Sequence, residues 1–324
     1  MKIQEKPGKK SPLDSFLQGQ IRSVSVKEAL HPFSTLIDVR TAEEYKQGAI
    51  PNSLNHPLFD NLERSIVGTL YRHVGKDAAI RRGISLFAPQ LSNFLSSLRP
   101  FQSKLLTIYC SRGGMRSKSV IRLLESEGFR VQQLEGGYKS YRRYVLEFLT
   151  DYRPSLTVLH GRTGVGKTIL IRSLPNSLDL EDLAQHRSSI FGAVHLQPRT
   201  QKNFEALFHS QTFERPKKQR IFVEGESRKV GRVFIPDAFA DSMKKGKKVL
   251  LKASMETRVR RILDEYHPKD QKTLEEIEEI LPSLRVSLGK SIVEHLRNCL
   301  FQEYFEEFIQ ILLENYYDPR YEHG

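Results

Sequence analysis

The sequence predicts two α/β domains in tandem, a parallel-sheet domain followed by a second α/β domain with a helical C-terminal region. Three observations predict this. The 324 residues are too many for one comfortable core and suit two domains of ordinary size. Short apolar runs of strand type alternate with stretches of helical period, the pattern of a parallel sheet covered by helices. The alternation breaks and restarts at Thr150-Asp-Tyr-Arg-Pro154, where a helical stretch ends in a proline.

Residues 1–20 combine Pro, Gly, Ser and Lys without hydrophobic period and read as a mobile basic tail. The first domain is expected over 21–150. Its strand-type runs are Thr35–Val39, Leu105–Tyr109 and Arg130–Leu134. Between the last two, Val120, Ile121, Leu123 and Leu124 give Ser117–Glu127 a helical face, and Gly128 stops it. Residues 60–100 read as a helical insertion whose buried face is Leu86, Leu91, Phe94, Leu95 and Leu98. The second domain, 151–324, offers strands at Leu156–His160, Ile221–Glu224 and Val249–Lys252. Helical segments lie around Phe204–Phe208 and Ala238–Met243. From Ile292 to Tyr316, one helix would carry Leu296, Leu300, Tyr304, Phe308, Ile311 and Leu312 on a single stripe, with Cys299 packed inside.

Composition narrows the classes. With 39% hydrophobic and 27% charged residues, the chain reads as a soluble globular protein. No apolar run approaches the ~18 residues of a membrane span, and the first ten residues lack a signal-type apolar core. A cytoplasmic location without a membrane partner is expected. Two cysteines, Cys110 and Cys299, stand far apart in no CxxC or metal-type pattern, which argues against a disulfide framework and a cysteine-built zinc site; no metal is required. Charge is segregated within the net +13. Residues 1–150 hold 23 basic against 13 acidic residues, 187–261 hold 18 against 7, and 262–324 hold 6 against 14. Two basic regions would steer a polyanion toward the chain.

The run Ile108-Tyr-Cys110-Ser-Arg112-Gly113-Gly114-Met-Arg116-Ser117 leaves a strand and enters a helix. Glycines let the backbone amides curl around the sulfur, the helix aims its positive end there, and Arg112 and Arg116 add cations. All three favour a thiolate, and the same cradle holds an anion. The spacing Cys-x5-Arg fits sulfurtransferases and cysteine phosphatases alike.

Gly161-Arg-Thr-Gly164-Val-Gly166-Lys167-Thr168 matches G-x-x-x-x-G-K-[ST], following one predicted strand and opening a predicted helix. Its glycines wrap a phosphate chain in backbone amides, Lys167 neutralises charge, and Thr168 can give a hydroxyl to Mg²⁺. Glu224 ends an apolar strand where a Walker-B acid would lie, or caps the next turn. Arg258 and Arg261 are similar to the lid arginines of P-loop kinases, which touch phosphate, or are solvated charges. A P-loop reports a diphosphate or triphosphate and does not demand a nucleoside.

Asp38-Val-Arg40, Glu44-Tyr45, Gly48-Ala-Ile-Pro51, Asn55 and Leu134-Glu-Gly-Gly137 resemble the rhodanese pattern over 21–145, with Ala49 where a histidine is common. In that superfamily Asp38 and Arg40 would support the fold. Together with the P-loop, the chain resembles the tRNA 2-selenouridine synthases. Further stretches carry the resemblance: Val67-Gly-Thr-Leu-Tyr71, Leu183-Ala-Gln-His-Arg187, Val223-Glu-Gly-Glu-Ser-Arg228 and Tyr316-Tyr-Asp-Pro319. The resemblance implies an enzyme that replaces the 2-thio sulfur of the wobble uridine of tRNA by selenium. Its co-substrates would be selenophosphate and geranyl diphosphate, acting through an S-geranylated intermediate, with no tightly bound cofactor. Cys110 would accept or position selenium, and Gly161 to Thr168 would hold the diphosphate. The anticodon arm would meet the basic regions, with Tyr71, Arg187 and Arg228 as candidate contacts; an enzyme supplying selenophosphate would be a further partner. Two rival readings are an ATP-dependent tRNA sulfurtransferase and a rhodanese binding module fused to a small-molecule kinase.

Overall fold

The structure is a computed structural model that describes residues 20–31, 34–215, 219–225, 227–266 and 270–322. The expected basic tail lies outside the described residues but for Gln20. The chain divides into two compact units, Met1–Glu147 and Phe148–Gly324.

The first unit is built on a five-stranded, all-parallel sheet in the order β1-β5-β4-β2-β3. Its strands are β1 (Ser23–Val24), β2 (Ser34–Asp38), β3 (Leu54–Asn55), β4 (Leu105–Tyr109) and β5 (Arg130–Leu134). The central strands Leu106–Tyr109 and Ile37–Asp38 are buried, as the continuous apolar runs require of strands covered on both faces. The insertion is helical, with Asn61–His73, Lys76–Phe87 and Leu91–Leu98. Phe94 and Leu98 are buried, and Leu86 and Leu95 pack against the same core. The helix after β4 runs Met115–Ser126 and is closed by Gly128 at φ +80°.

The second unit has a four-stranded parallel sheet in the order β11-β6-β8-β7. Here β6 is Leu156–His160, β7 Ser177–Leu178, β8 Ile221–Glu224 and β11 Lys247–Leu250; a short antiparallel pair, β9 (Lys229–Val230) and β10 (Val233–Phe234), lies between β8 and β11 in sequence. β11 begins two residues earlier than the run Val249–Lys252 suggested. As an edge strand it carries lysines and needs little apolar sequence. The C-terminal stripe is also corrected. Two helices, Lys290–Phe301 and Phe305–Leu312, replace one, because the chain turns at Glu303 (φ +58°) and leaves Tyr304 exposed. Leu296, Cys299, Leu300, Phe308 and Leu312 still share one core cluster.

In each unit a loop leaves the carboxyl end of a strand that has neighbours on both sides: β4 precedes the cysteine loop and β6 the phosphate loop. Open parallel sheets place ligand sites at such positions.

Candidate functional site

In the first unit, Cys110 follows β4 directly and is 3% exposed, packed in one cluster with Ile37, Ile108, Val120 and Ile121. The sulfur is walled by hydrocarbon on one side and polar on the other, where Sγ lies 3.3 Å from Ser117 Oγ. Ser117 Oγ also accepts from Gln133 Nε2 at 2.8 Å, and the same Nε2 donates to the Gly113 carbonyl at 3.0 Å. Among the described residues, no backbone or side-chain acceptor takes the amides of residues 111 to 116. Six successive N–H groups without a protein acceptor, leading into a helix N-terminus, are available to an anion. Gly113 needs its φ of +64°, whereas Gly114 is extended and faces open space. The tightest approach belongs to Gly137, where a Cβ would stand 2.6 Å from the Gly113 nitrogen and 2.3 Å from the Cys110 carbonyl.

Arg112 is exposed and makes no ion pair among the described residues, so it stays available to an anion. Arg116 is a correction. Its guanidinium is held by Glu44 at 2.7 Å and by Ser111 Oγ at 2.8 Å, so it braces the loop from outside and is not a spare cation beside the sulfur. Burial alone would raise the Glu44 carboxyl, but the bonds from Arg116 and Ser111 outweigh it and hold it at about 2. Glu44 also closes a capping box with Thr41 at the start of the helix Ala42–Gln47. Asp38 and Arg40 form a buried forked pair, with Arg40 over the Tyr138 ring at 3.9 Å, and they support the fold as expected of them.

In the second unit the phosphate loop connects β6 to the helix Lys167–Ser173. Gly161, Gly164 and Gly166 have φ of +149°, +80° and +90°, and a Cβ at Gly164 or Gly166 would meet the Arg258 carbonyl at 3.0 Å or Arg261 Nη1 at 2.9 Å. Among the described residues the amides of Gly164, Gly166, Lys167 and Thr168 have no protein acceptor. Lys167 Nζ donates to the Gly161 carbonyl at 2.8 Å, within reach of the same cradle. Arg261 Nη1 donates to the Val165 carbonyl at 2.7 Å and lies on the loop. Arg258 is again a correction. It is 3% exposed, forks onto Asp318 at 2.6 and 2.9 Å, and donates to the Thr163 carbonyl at 2.8 Å. Its charge is spent on a carboxylate, so it shapes the loop without facing phosphate. Arg162 joins the same Asp318 at 3.1 Å.

A cavity of about 720 Å³ opens from this loop. Its lining includes Gly164 to Thr168 and Glu224, which is 1% exposed at the end of β8. It also includes the apolar Phe191, Ile262, Leu300, Phe308 and Leu312 with Tyr317, beside the charged Glu181, Arg187, Asp264 and Glu265. Thr168 and Glu224 therefore line one space and could hold a Mg²⁺ together.

The candidate RNA contacts differ in their settings. Tyr71 is 54% exposed on the helix Asn61–His73 of the first unit. Arg187 is half-buried, paired with Glu265 at 2.7 Å and set over the Tyr266 ring at 4.7 Å; it lines the apolar cavity and does not present its charge to solvent. Arg228 is exposed and paired with Asp237. Cys299 is buried, and that burial pushes its thiol up, which suits packing. His295 and Glu307, 2.9 Å apart, lie close enough to Cys299 to share a metal ion. Sequence reasoning missed Ser117, Gln133, Glu44 and Asp318 as site-builders. Ser117 closes the quoted loop and Asp318 sits in the Tyr-Tyr-Asp-Pro stretch, so both were in view without a role.

Comparison with known proteins adds the following. A family model described as the rhodanese-like domain matches residues 24–144, and one described as the tRNA 2-selenouridine synthase AAA domain matches 154–324. The chain is similar to the tRNA 2-selenouridine synthase of Hydrogenovibrio crunogenus, at 35% identity over 89% of this chain and 88% of that one. It is similar to that of Shewanella woodyi at 34% identity over 90% and 88%. Among solved structures, a rhodanese-like domain protein from Staphylococcus aureus is 22% identical, covering 37% of this chain and 91% of that one with a TM-score of 0.25.

Proposed function

The chain belongs to the tRNA 2-selenouridine synthase family, whose members modify tRNA, and from that premise we propose that it exchanges the 2-thio sulfur of a wobble uridine for selenium through an S-geranyl intermediate. The observation that supports the prenyl step is the cavity of the second unit, whose lining joins the phosphate loop to aliphatic and aromatic side chains. A nucleotide bound there would set its ribose and base against Phe308, Leu312 and Leu300. A geranyl chain buries in the same walls favourably, at about 25 cal/mol for each Å² removed from water. The diphosphate then serves as a leaving group.

In the first step the thiocarbonyl sulfur attacks C1 of the prenyl chain. The C1–S bond forms as the C1–O bond breaks, the electron pair departs with diphosphate, and the base gives its N3 proton to solvent. Amides of Gly164 to Thr168 and Lys167 stabilise the growing negative charge on diphosphate. Mg²⁺ held by Thr168 and Glu224 would add to that charge stabilisation.

Alkylation converts a poor leaving group into one that departs as a neutral thiol. In the second step selenium adds at C2 and geranyl thiol leaves, while water takes the phosphorus of selenophosphate as phosphate. The cysteine loop suits this donor: the amides of 111 to 116 and Arg112 grip an oxyanion, with Cys110 at its floor. Selenophosphate carries fully reduced selenium, so forming a sulfur–selenium bond on Cys110 would need an oxidant. Cys110 therefore positions selenium and does not store it.

Nucleoside mass spectrometry of thiolated tRNA, with geranyl diphosphate and selenophosphate each omitted in turn, tests the scheme. Cys110→Ser is expected to stop at S-geranyl uridine, and Lys167→Ala to leave 2-thiouridine untouched. A Cys110→Ser enzyme that selenates fully sinks the role of the loop.

A further inference from the structure

Beside the apolar cavity, in the same unit, lies a second hollow of about 650 Å³ with a different chemistry. The two share Thr163, Ser188, Ser189, Ser227, Tyr317 and Tyr321 as a common wall, so they meet at the phosphate loop. The cavity has Glu181, Glu224, Asp264 and Glu265 in its lining; among the described residues the hollow has no carboxylate. What the wall does carry is Lys229, Arg320 and tyrosines. Lys229 and Arg320 are exposed, and Arg320 lies over the Tyr316 ring at 3.5 Å. Tyr321 is 47% exposed, with its hydroxyl 3.5 Å from Thr163 Oγ1 at the lip of the phosphate loop.

Cations beside an exposed aromatic ring are the kind of surface that takes unstacked nucleotides: the phosphodiester meets the cations and the base lies on the ring. We propose that this hollow seats the acceptor, a single unpaired pyrimidine nucleotide of RNA. Its flanking phosphates lie on Lys229 and Arg320 and its base against Tyr321, so that the sulfur reaches the shared wall at Thr163, where the prenyl diphosphate ends. The proposal rests on the prenyl reading of the neighbouring cavity. It assigns the RNA to Lys229, Arg320 and Tyr321, none of which the motifs singled out.

The test uses the full chain and an anticodon stem-loop RNA with 2-thiouridine at the wobble position, binding read by fluorescence anisotropy across a salt series. Geranyl diphosphate binding is measured separately by calorimetry. Lys229→Ala and Arg320→Ala are each expected to weaken RNA binding several-fold and to reduce the salt slope by about 0.7 per lost phosphate contact. Both leave geranyl diphosphate affinity unchanged. Tyr321→Leu is expected to lose about tenfold in RNA affinity, the scale of one base–aromatic stack, and Tyr321→Phe to retain it. Lys244→Ala, an exposed lysine on the helix Asp237–Lys245, supplies the comparison for diffuse charge. Wild-type RNA binding in the three groove variants overturns the proposal, as does a loss in Lys244→Ala equal to that in Lys229→Ala. If the groove variants lose RNA while the wild type binds no geranyl diphosphate, the prenyl reading falls and the RNA groove stands.

Discussion

Ser117 is the side chain whose hydroxyl meets the sulfur of Cys110. Its hydroxyl lies 3.3 Å from Cys110 Sγ and 3.1 Å from the Gly114 carbonyl, while Gln133 occupies one of its lone pairs. Ser117→Ala removes the hydrogen bond at the sulfur and is expected to slow alkylation of Cys110 by about fivefold, the worth of roughly one hydrogen bond of 1 kcal/mol. Peptide mass spectrometry assigns the alkylated cysteine, and an unchanged rate denies Ser117 any part. Glu44 gives the loop a second signature. Its folded carboxyl titrates at about 2, below the ordinary carboxylate value. A depressed carboxyl contributes stability that is full above about pH 4.3 and is lost as pH falls toward about 2. Glu44→Gln should therefore lie about 1–2 kcal/mol below wild type at neutral pH, screening by solvent included, with the gap closing in acid. Urea unfolding at several pH values reads it; a gap independent of pH would mean that the Arg116 pair contributes nothing.

At the scale of elements, the phosphate loop is held from outside by the short C-terminal helix Asp318–Glu322. Asp318 gathers Arg258 and Arg162, and Arg258 passes the restraint to the Thr163 carbonyl. Arg258→Ala leaves a nearly buried carboxylate short of its main partner and is expected to cost about 3 kcal/mol in unfolding free energy. Diphosphate binding should weaken with it, since the loop loses its brace, and calorimetry beside urea unfolding separates this from a phosphate contact. A variant of normal stability that fails only to bind diphosphate would restore Arg258 to the phosphate. The same helix shows why parts of the site were legible in the chain and others not. Loops that bind anions are local: Cys110 to Arg116 and Gly161 to Thr168 each need only a strand, a turn and a helix, all encoded within about a dozen residues. Strands β4, β5, β6 and β8 stand where their apolar runs placed them. Braces are long-range. Arg258 and Asp318 are 60 residues apart, Arg116 and Glu44 72, and no period or spacing links them. An arginine's sequence neighbours announce its charge but not which carboxylate has claimed it, and so Arg116, Arg187 and Arg258 were each read as freer than they are. The apolar cavity escaped notice for a related reason: Phe191, Leu300 and Phe308 pattern as ordinary core, and only the fold shows that they surround a space.

For the molecule as a whole, the proposed scheme turns on whether its two steps on one base need one chain. Each anion cradle belongs to its own compact unit, with its own sheet and its own braces. Every contact described for the cysteine loop lies within the first unit and every contact for the phosphate loop within the second. On the proposed scheme the steps are also separable chemically, because an S-geranyl base would be a closed-shell product able to survive release. Cys110→Ser should accordingly leave S-geranyl tRNA in solution, and a Lys167→Ala enzyme supplied with selenophosphate should carry that tRNA to 2-selenouridine. In a mixture of the two variants, with both co-substrates present, product is expected although neither variant makes it alone. The rate should fall on dilution, since the intermediate must leave one chain and find another. Binding of so charged a ligand to a chain of net charge +13 makes the transfer faster at low salt than at high salt. Nucleoside mass spectrometry over a dilution series measures it. A mixture that yields no 2-selenouridine while S-geranyl tRNA accumulates would mean that the intermediate is handed over within one chain, and that the two units work as a single active site.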